Sequence, residues 1–199
     1  MDKIVLAMTG ASGAVYGLRL TEELLRAGRN VVLLLSRAGR QVLHHETGFD
    51  WTGPLDRRRE VIAEHFQAGE ALVHYDEDDL FAPVASGSSA ADAMVVAPCS
   101  MGCAGRLAGG LSGNLIERCA DVALKEGRPL LLVPRETPFN QLHLENLLRL
   151  SQAGARIVPA MPAFYQQPSS VEEMVDFVVG KVLDQLGIDH QLYRRWGDG

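Results

Sequence analysis

Residues 3–17 read KIVLAMTGASGAVYG, and this stretch decides the fold. The run from Ile4 to Met8 is apolar without alternation, the pattern of a strand buried on both faces. It breaks at Thr9 into a turn carrying Gly10, Ala11, Ser12 and Gly13, and a helical pattern follows. Strand, glycine turn and helix in succession open a unit of the kind that builds a parallel sheet covered by helices. In such sheets ligands lie beyond the carboxyl ends of the strands, where a helix N-terminus offers free amides to an anion.

The pattern repeats outward along the chain. Apolar β-type runs recur at 30–35 (NVVLLL), 93–97 (AMVVA, closed by Pro98), 130–133 (LLLV) and 156–158 (RIV). Helical patterns fall near 14–28, 38–46, 55–68, 101–108, 114–126, 140–153 and 170–187. Segment 82–90, APVASGSSA, is a small-residue loop at a sheet end, and no long linker or repeat divides the chain. The fold class expected is α/β, a Rossmann-like three-layer α/β/α sandwich with a mostly parallel sheet, in one domain over residues 1–199.

Composition narrows the function classes. A net charge of −6 argues against a nucleic-acid coat protein, although 16 of the 19 cationic residues are arginine, which suits contact with phosphate or carboxylate. No apolar run approaches the roughly 18 residues that span a bilayer, and the N-terminus has no basic flank, so neither a membrane span nor a secretory signal is expected. Cys99, Cys103 and Cys119 cannot all pair, which fits reduced thiols in the cytoplasm. The CxxxC spacing has no second pair, and adjacent His44 and His45 cannot face one metal from a helix, so no metal site is expected.

The glycine spacing argues against the commonest ligand of such a turn. Gly10, Gly13 and Gly17 form GxxGxxxG rather than GxGxxG, and the second strand ends at Ser36 where a dinucleotide site needs an acid for the ribose. Short-chain dehydrogenases share the TGxxG opening, but their Tyr-x-x-x-Lys is missing: the four tyrosines are followed four residues on by Leu20, Asp79, Ser169 and Gly197. A mononucleotide or another phosphate ligand suits this turn better.

Three further stretches carry possible chemistry. In 97–110, APCSMGCAGRLAGG, residues Ser100 to Cys103 open a helix after a buried strand and form a second anion- or ring-binding turn. In 113–139, Arg118 and Lys125 are two helical turns apart and share a face, while Arg135 and Glu136 follow the strand LLLV within a proline frame at the sheet end. In 159–168, PAMPAFYQQP, Phe164 and Tyr165 stand in a loop, and Trp196 lies in the tail YRRWGDG.

Taken in order, TGASGAVYG, SRAGRQVLHHET, SGSSAADAMVVAPCS, NLIERCADVALKEGRPLLLVPRETP, PAFYQQP and RRWG resemble the flavin prenyltransferases of the UbiX type over about residues 3–197. The resemblance implies transfer of a dimethylallyl group from dimethylallyl monophosphate to reduced FMN, with bonds at N5 and C6 and no metal. The product, prenylated FMN, serves UbiD-type decarboxylases, including the one in ubiquinone biosynthesis. Homo-oligomers, typically dodecamers with active sites between subunits, are implied as well. An FMN-dependent decarboxylase, or a decarboxylase subunit of the same fold, is the alternative, and a non-catalytic FMN-binding partner protein is a third reading.

Carried over residue by residue, the resemblance puts FMN on Gly10, Ala11, Ser12, Ser36, Ser100, Met101, Gly102, Cys103 and Arg135. It puts the prenyl phosphate on Tyr165, Lys181, Arg118 and Lys125, and gives catalytic roles to Glu136, Glu46, Lys125, Ser12, Tyr165 and Trp196. Many members carry arginine where this chain has Lys181, a change that keeps charge and loses bidentate geometry. On this reading FMN binds with its phosphate at the Gly10–Gly13 turn and Ser36.

Overall fold

The structure is a computed structural model, and it describes residues 1–195. Strands β1 (Lys3–Met8), β2 (Asn30–Leu35), β3 (Leu72–Tyr75), β4 (Ala93–Cys99), β5 (Leu130–Pro134) and β6 (Arg156–Ile157) form one sheet in the order β3-β2-β1-β4-β5-β6. All five pairings are parallel. The helices are α1 (Ala14–Arg26), α2 (Arg37–Thr47), α3 (Leu55–Phe66), α4 (Met101–Ala108), α5 (Leu115–Lys125), α6 (Gln141–Gln152) and α7 (Val171–Leu186). Among the described residues no helix is long and apolar enough to cross a membrane.

Alternation within the apolar strands explains the three layers. Ile4, Leu6 and Met8 of β1 face one core with residues of α1, α2, α3 and α7, whereas Val5 and Ala7 face a second core with residues of α4, α5 and α6. Both faces are covered, so the interior positions of the central strands must be apolar. Chain order reverses between β1 and β4, and the ends of these two central strands therefore diverge into α1 and α4.

Two strands depart from the sequence expectation. β3 carries no continuous apolar run; it is a four-residue edge strand, LVHY, recruited by pairing Val31 to Leu34 of β2 with Leu72 to Tyr75. Pro98 does not end β4, which continues to Cys99 through a register irregularity after Val96 and a cis Ala97–Pro98 bond. Proline is accommodated in a central strand there because the irregular position requires no amide donor. The 82–90 loop is wound into two short 3₁₀ turns, Pro83–Ala85 and Gly87–Ser89.

β3 also buries a histidine. His74 is 3 % exposed, with Nδ1 2.8 Å from the Leu33 carbonyl oxygen. Burial pushes its pKa down to about 4; the Leu33 bond and Asp76 oppose the shift, and Arg58 and Arg40 add to it. The unfolded chain thus takes up this proton first, from the ordinary value of 6.5 downward. The stability His74 contributes is complete above that value and drains as pH falls towards the folded-state value, by up to about 3 kcal/mol. Urea unfolding across this interval should show the decline, and His74→Gln should flatten it; an unchanged pH slope would remove His74 as the source.

Candidate active site

The β1 and β4 ends are joined by a buried hydroxyl. Thr9, 3 % exposed, donates through Oγ1 to the Pro98 carbonyl at 2.9 Å and accepts from the Ser100 amide at 2.8 Å, while its own amide also donates to Pro98 at 3.1 Å. The next strands are tied on by the Ser36 amide donating to Met8 at 3.1 Å and the Arg135 amide donating to Cys99 at 3.3 Å. Four strand ends therefore present Gly10 to Gly13, Ser36, Ser100 to Cys103 and Arg135 on one edge. Thr9 was not singled out from the sequence; a hydroxyl closing an apolar run is its only signal there.

Two of these turns begin helices in the same way. Ser36 caps α2 by accepting from the Gly39 amide at 2.9 Å, and Ser100 caps α4 by accepting from the Cys103 amide at 3.2 Å. Each hydroxyl acts as acceptor in its cap and so keeps its proton for another acceptor. The amides of Met101 and Gly102, in the first turn of α4, have no intrahelical acceptor. Cys103 is buried behind them, its thiol held down by a hydrogen bond from Cys99, whose own thiol the same bond and burial push up.

α1 differs, because the chain supplies its anion. Gly13 precedes α1 with φ of 104°, a left-handed conformation suited to glycine, and turns its amide outward. The Glu46 carboxylate accepts from the Gly13 amide at 3.0 Å and from the Ala14 amide at 2.8 Å. Partial burial raises the Glu46 pKa, but the Ser12 hydroxyl and these two amides outweigh it and hold the carboxyl below its ordinary range. The N-terminus of α1 is therefore not an open phosphate cradle. Arg135 closes the group, its Nε donating to the Ser12 carbonyl at 3.0 Å. Glu136 is half-buried beside it, and its Oε1 accepts from the Thr137 amide at 3.0 Å.

Tyr165 and Lys181 meet at the α7 side. Tyr165 packs edge-on against Phe177 with ring centres 6.0 Å apart, and Lys181 Nζ lies over Phe177 and Tyr193. A hydrogen bond to Tyr193 holds the Lys181 ammonium above the ordinary lysine value. Trp196 lies outside the described residues.

Arg118 and Lys125 share a face of α5, but one chain does not bring them to Ser12 and Arg135. Arg118 Nε donates to the Ala85 carbonyl at 2.9 Å, and Lys125 pairs with Glu126 at 2.6 Å beside Gly87. The reason is direction: α5 runs back to the amino end of β5, so Lys125 stands before that strand and Arg135 after it. Within a single chain, Arg118 and Lys125 therefore stand apart from Arg135.

A family model described as Flavoprotein matches residues 1–183. The flavin prenyltransferase UbiX of Halalkalibacterium halodurans is 52% identical over 194 residues, covering 97% of this chain and 92% of that protein. The crystal structure of AnUbiX (PadA1) in complex with FMN and dimethylallyl pyrophosphate superposes with a TM-score of 0.88 at 37% identity, covering 100% of this chain and 98% of that one. A dodecameric FMN-dependent UbiX-like decarboxylase from Escherichia coli O157:H7 gives 0.87 at 38% identity, over 98% of each chain. A strand-end site built from hydroxyl caps, a guanidinium and a held carboxylate thus occurs in a chain that belongs to the UbiX flavin prenyltransferase family.

Proposed function

We propose that this chain, a single flavoprotein domain over residues 1–199, joins the dimethylallyl group of dimethylallyl monophosphate to reduced FMN and delivers prenylated FMN to a UbiD-type decarboxylase. The observation that carries the reading is the strand-end arrangement: two capping hydroxyls with protons to give, free amides on α4 and the Arg135 guanidinium lie together. Ser36 and the Gly10–Ser12 part of the first turn take the FMN phosphate, since Glu46 occupies the amides of Gly13 and Ala14. Ser100 to Cys103 and Arg135 take the rest of the flavin. Three free buried cysteines accord with a cytoplasmic setting.

The donor's C–O bond breaks with its electron pair leaving on phosphate, and the allylic carbon bonds to the lone pair of flavin N5, whose proton is lost to the departing phosphate. Tyr165, Lys181, Arg118 and Lys125 bind the phosphate and offset its growing charge. An aromatic face such as Tyr165 stabilises the allylic cation. Closing the second bond at C6 requires loss of a proton there and delivery of one to the alkene, work assigned to Glu136. Glu46, ionised and committed to α1, orients Ser12.

Arg118 and Lys125 enter from a neighbouring copy. Phe81, fully exposed, stands just before the 3₁₀ turn that Arg118 grips, and Leu142 and Leu148 of α6 are 67% and 59% exposed. Apolar surface of this extent fits a homo-oligomer, a dodecamer on the pattern of the related decarboxylase.

The direct test is anaerobic mixing of the protein with reduced FMN and dimethylallyl monophosphate, followed by mass spectrometry for the adduct. Release of CO₂ from a phenolic acid without any prenyl donor would replace this reading. Lys125→Ala should impair donor use strongly and FMN retention little. Mixed oligomers of inactive Lys125→Ala and Glu136→Gln chains should regain about a quarter of wild-type activity if each site draws on two copies; no recovery would place both residues in one chain's site.

Glu136→Gln keeps the shape and removes the proton site. It should retain FMN and slow turnover by roughly 10²–10⁴-fold, with an adduct bonded only at N5 accumulating. Turnover at the wild-type rate would transfer the proton role to the phosphate.

A further inference from the structure

α7 ends on Gly187, whose φ of 68° turns residues 188–195 back along the helix. The returning segment converges on one side chain. Asp184, in the last turn of α7, accepts from the Tyr193 hydroxyl and from Arg195 Nη2 at 2.9 Å, with His190 Nε2 at 3.2 Å. The Leu192 amide donates to His190 Nδ1 at 3.2 Å, which leaves the ring proton on Nε2 and makes that nitrogen a donor to Asp184. Three donors on one carboxylate fix the path of the segment.

Gly180 provides the seat. A Cβ there would stand 2.5 Å from the Tyr193 ring and 2.7 Å from the His190 ring, so both rings rest on bare helix backbone. One residue on, Lys181 Nζ lies 4.8 Å from the Tyr193 ring centre, 5.4 Å from that of Phe177 and 4.0 Å from Asp184 Oδ2. Tyr165 packs on the same Phe177, and Gln166 Nε2 donates to the Arg194 carbonyl at 2.7 Å. Two of the four residues assigned to the donor phosphate, Tyr165 and Lys181, are thereby tied into the fold-back centred on Asp184.

We propose that Asp184 is a positioning residue for the prenyl donor: through Tyr193 it aims the Lys181 ammonium, and through the returning segment it holds the Tyr165 loop at the matching distance. This rests on the assignment of Lys181 and Tyr165 to the donor made above. Lysine gives the device its purpose. A guanidinium presents a rigid fork of donors, whereas an ammonium on a flexible stem takes its direction from its neighbours. Tyr193 and Asp184 are those neighbours.

Steady-state turnover with dimethylallyl monophosphate at saturating reduced FMN tests the role. Asp184→Asn and Tyr193→Phe should each raise the donor KM about tenfold, the loss of one hydrogen bond to a charged group. Both kcat and FMN affinity should stay within about twofold of wild type. The double variant should be no worse than Asp184→Asn alone, because Tyr193 acts on Lys181 through its bond to Asp184, and Asp184→Glu should recover most of the loss. An unchanged donor KM, additive single effects, or a parallel loss of FMN retention overturns the proposal. Should Asp184→Asn fail to fold, Tyr193→Phe, which keeps the ring on Gly180, decides alone. Hydrogen exchange reads the fold-back independently of turnover: the amides around Tyr165 should exchange faster in Tyr193→Phe. If the wild-type protein makes no adduct, the functional reading falls by itself, and unchanged exchange around Tyr165 then overturns the positioning role separately.

Discussion

The site depends on the double hydrogen bond of Thr9 Oγ1. The sheet's parallel ladder alone sets the spacing of β1 and β4, but beyond Ala7 and Val96 the chains leave regular pairing. Thr9 bridges that gap from a buried position, using its hydroxyl as donor to Pro98 and as acceptor from Ser100. A buried hydroxyl that loses one partner costs about 1–3 kcal/mol, so the bridge is strongly favoured once formed. It fixes the start of α4 relative to the turn before α1, and Ser36 and Arg135 are then indexed to the same strand ends through Met8 and Cys99.

Charge is distributed over this edge with a consistent sign logic. Three helices point their amino ends towards it, and each positive end has to meet an anion or an acceptor. α2 and α4 use serine caps, which satisfy one amide and leave a hydroxyl proton facing outward. α1 uses a full carboxylate, Glu46, drawn from the end of α2. An incoming phosphate is therefore steered away from α1 and towards the neutral caps and Arg135. In the proposed reaction Glu46 contributes to selectivity by occupying a position as well as by orienting Ser12.

How far the sequence revealed this follows from the range of each interaction. β1, β2, β4 and β5 were legible because burial on both faces demands unbroken apolar runs, and the helices between them came through within a few residues. β3 was not, since LVHY becomes a strand only by pairing with β2, and Pro98 misled because proline's rule against central strands lapses at an irregular register. Glycine spacing and the hydroxyl at Ser36 argued against a dinucleotide site on chemistry alone. Glu136 stood out beside Arg135 at the sheet end after LLLV, whereas Glu46 and Lys181 gained roles only through the family resemblance; Glu46 meets Gly13 and Ala14 more than thirty residues away. The Asp184 cluster was invisible: its donors stand 6, 9 and 11 residues further on and meet it only after Gly187 reverses the chain.

The division of the cations between two ends of the sheet carries its own argument. Prenyl transfer without a metal requires the leaving phosphate to be matched by fixed positive charge, and the strand-end group of one chain supplies Arg135, with Lys181 on the α7 side. Arg118 and Lys125 are held at the other end by Ala85, Asp121 and Glu126, where they serve no strand-end ligand of their own chain. A monomer would then hold a flavin with an incomplete phosphate pocket, and water would have free access to an allylic cation formed there. In the proposed assembly a neighbouring copy supplies the missing charge and excludes that water in the same step, so the proposed reaction is coupled to oligomerisation by electrostatics and solvent exclusion together.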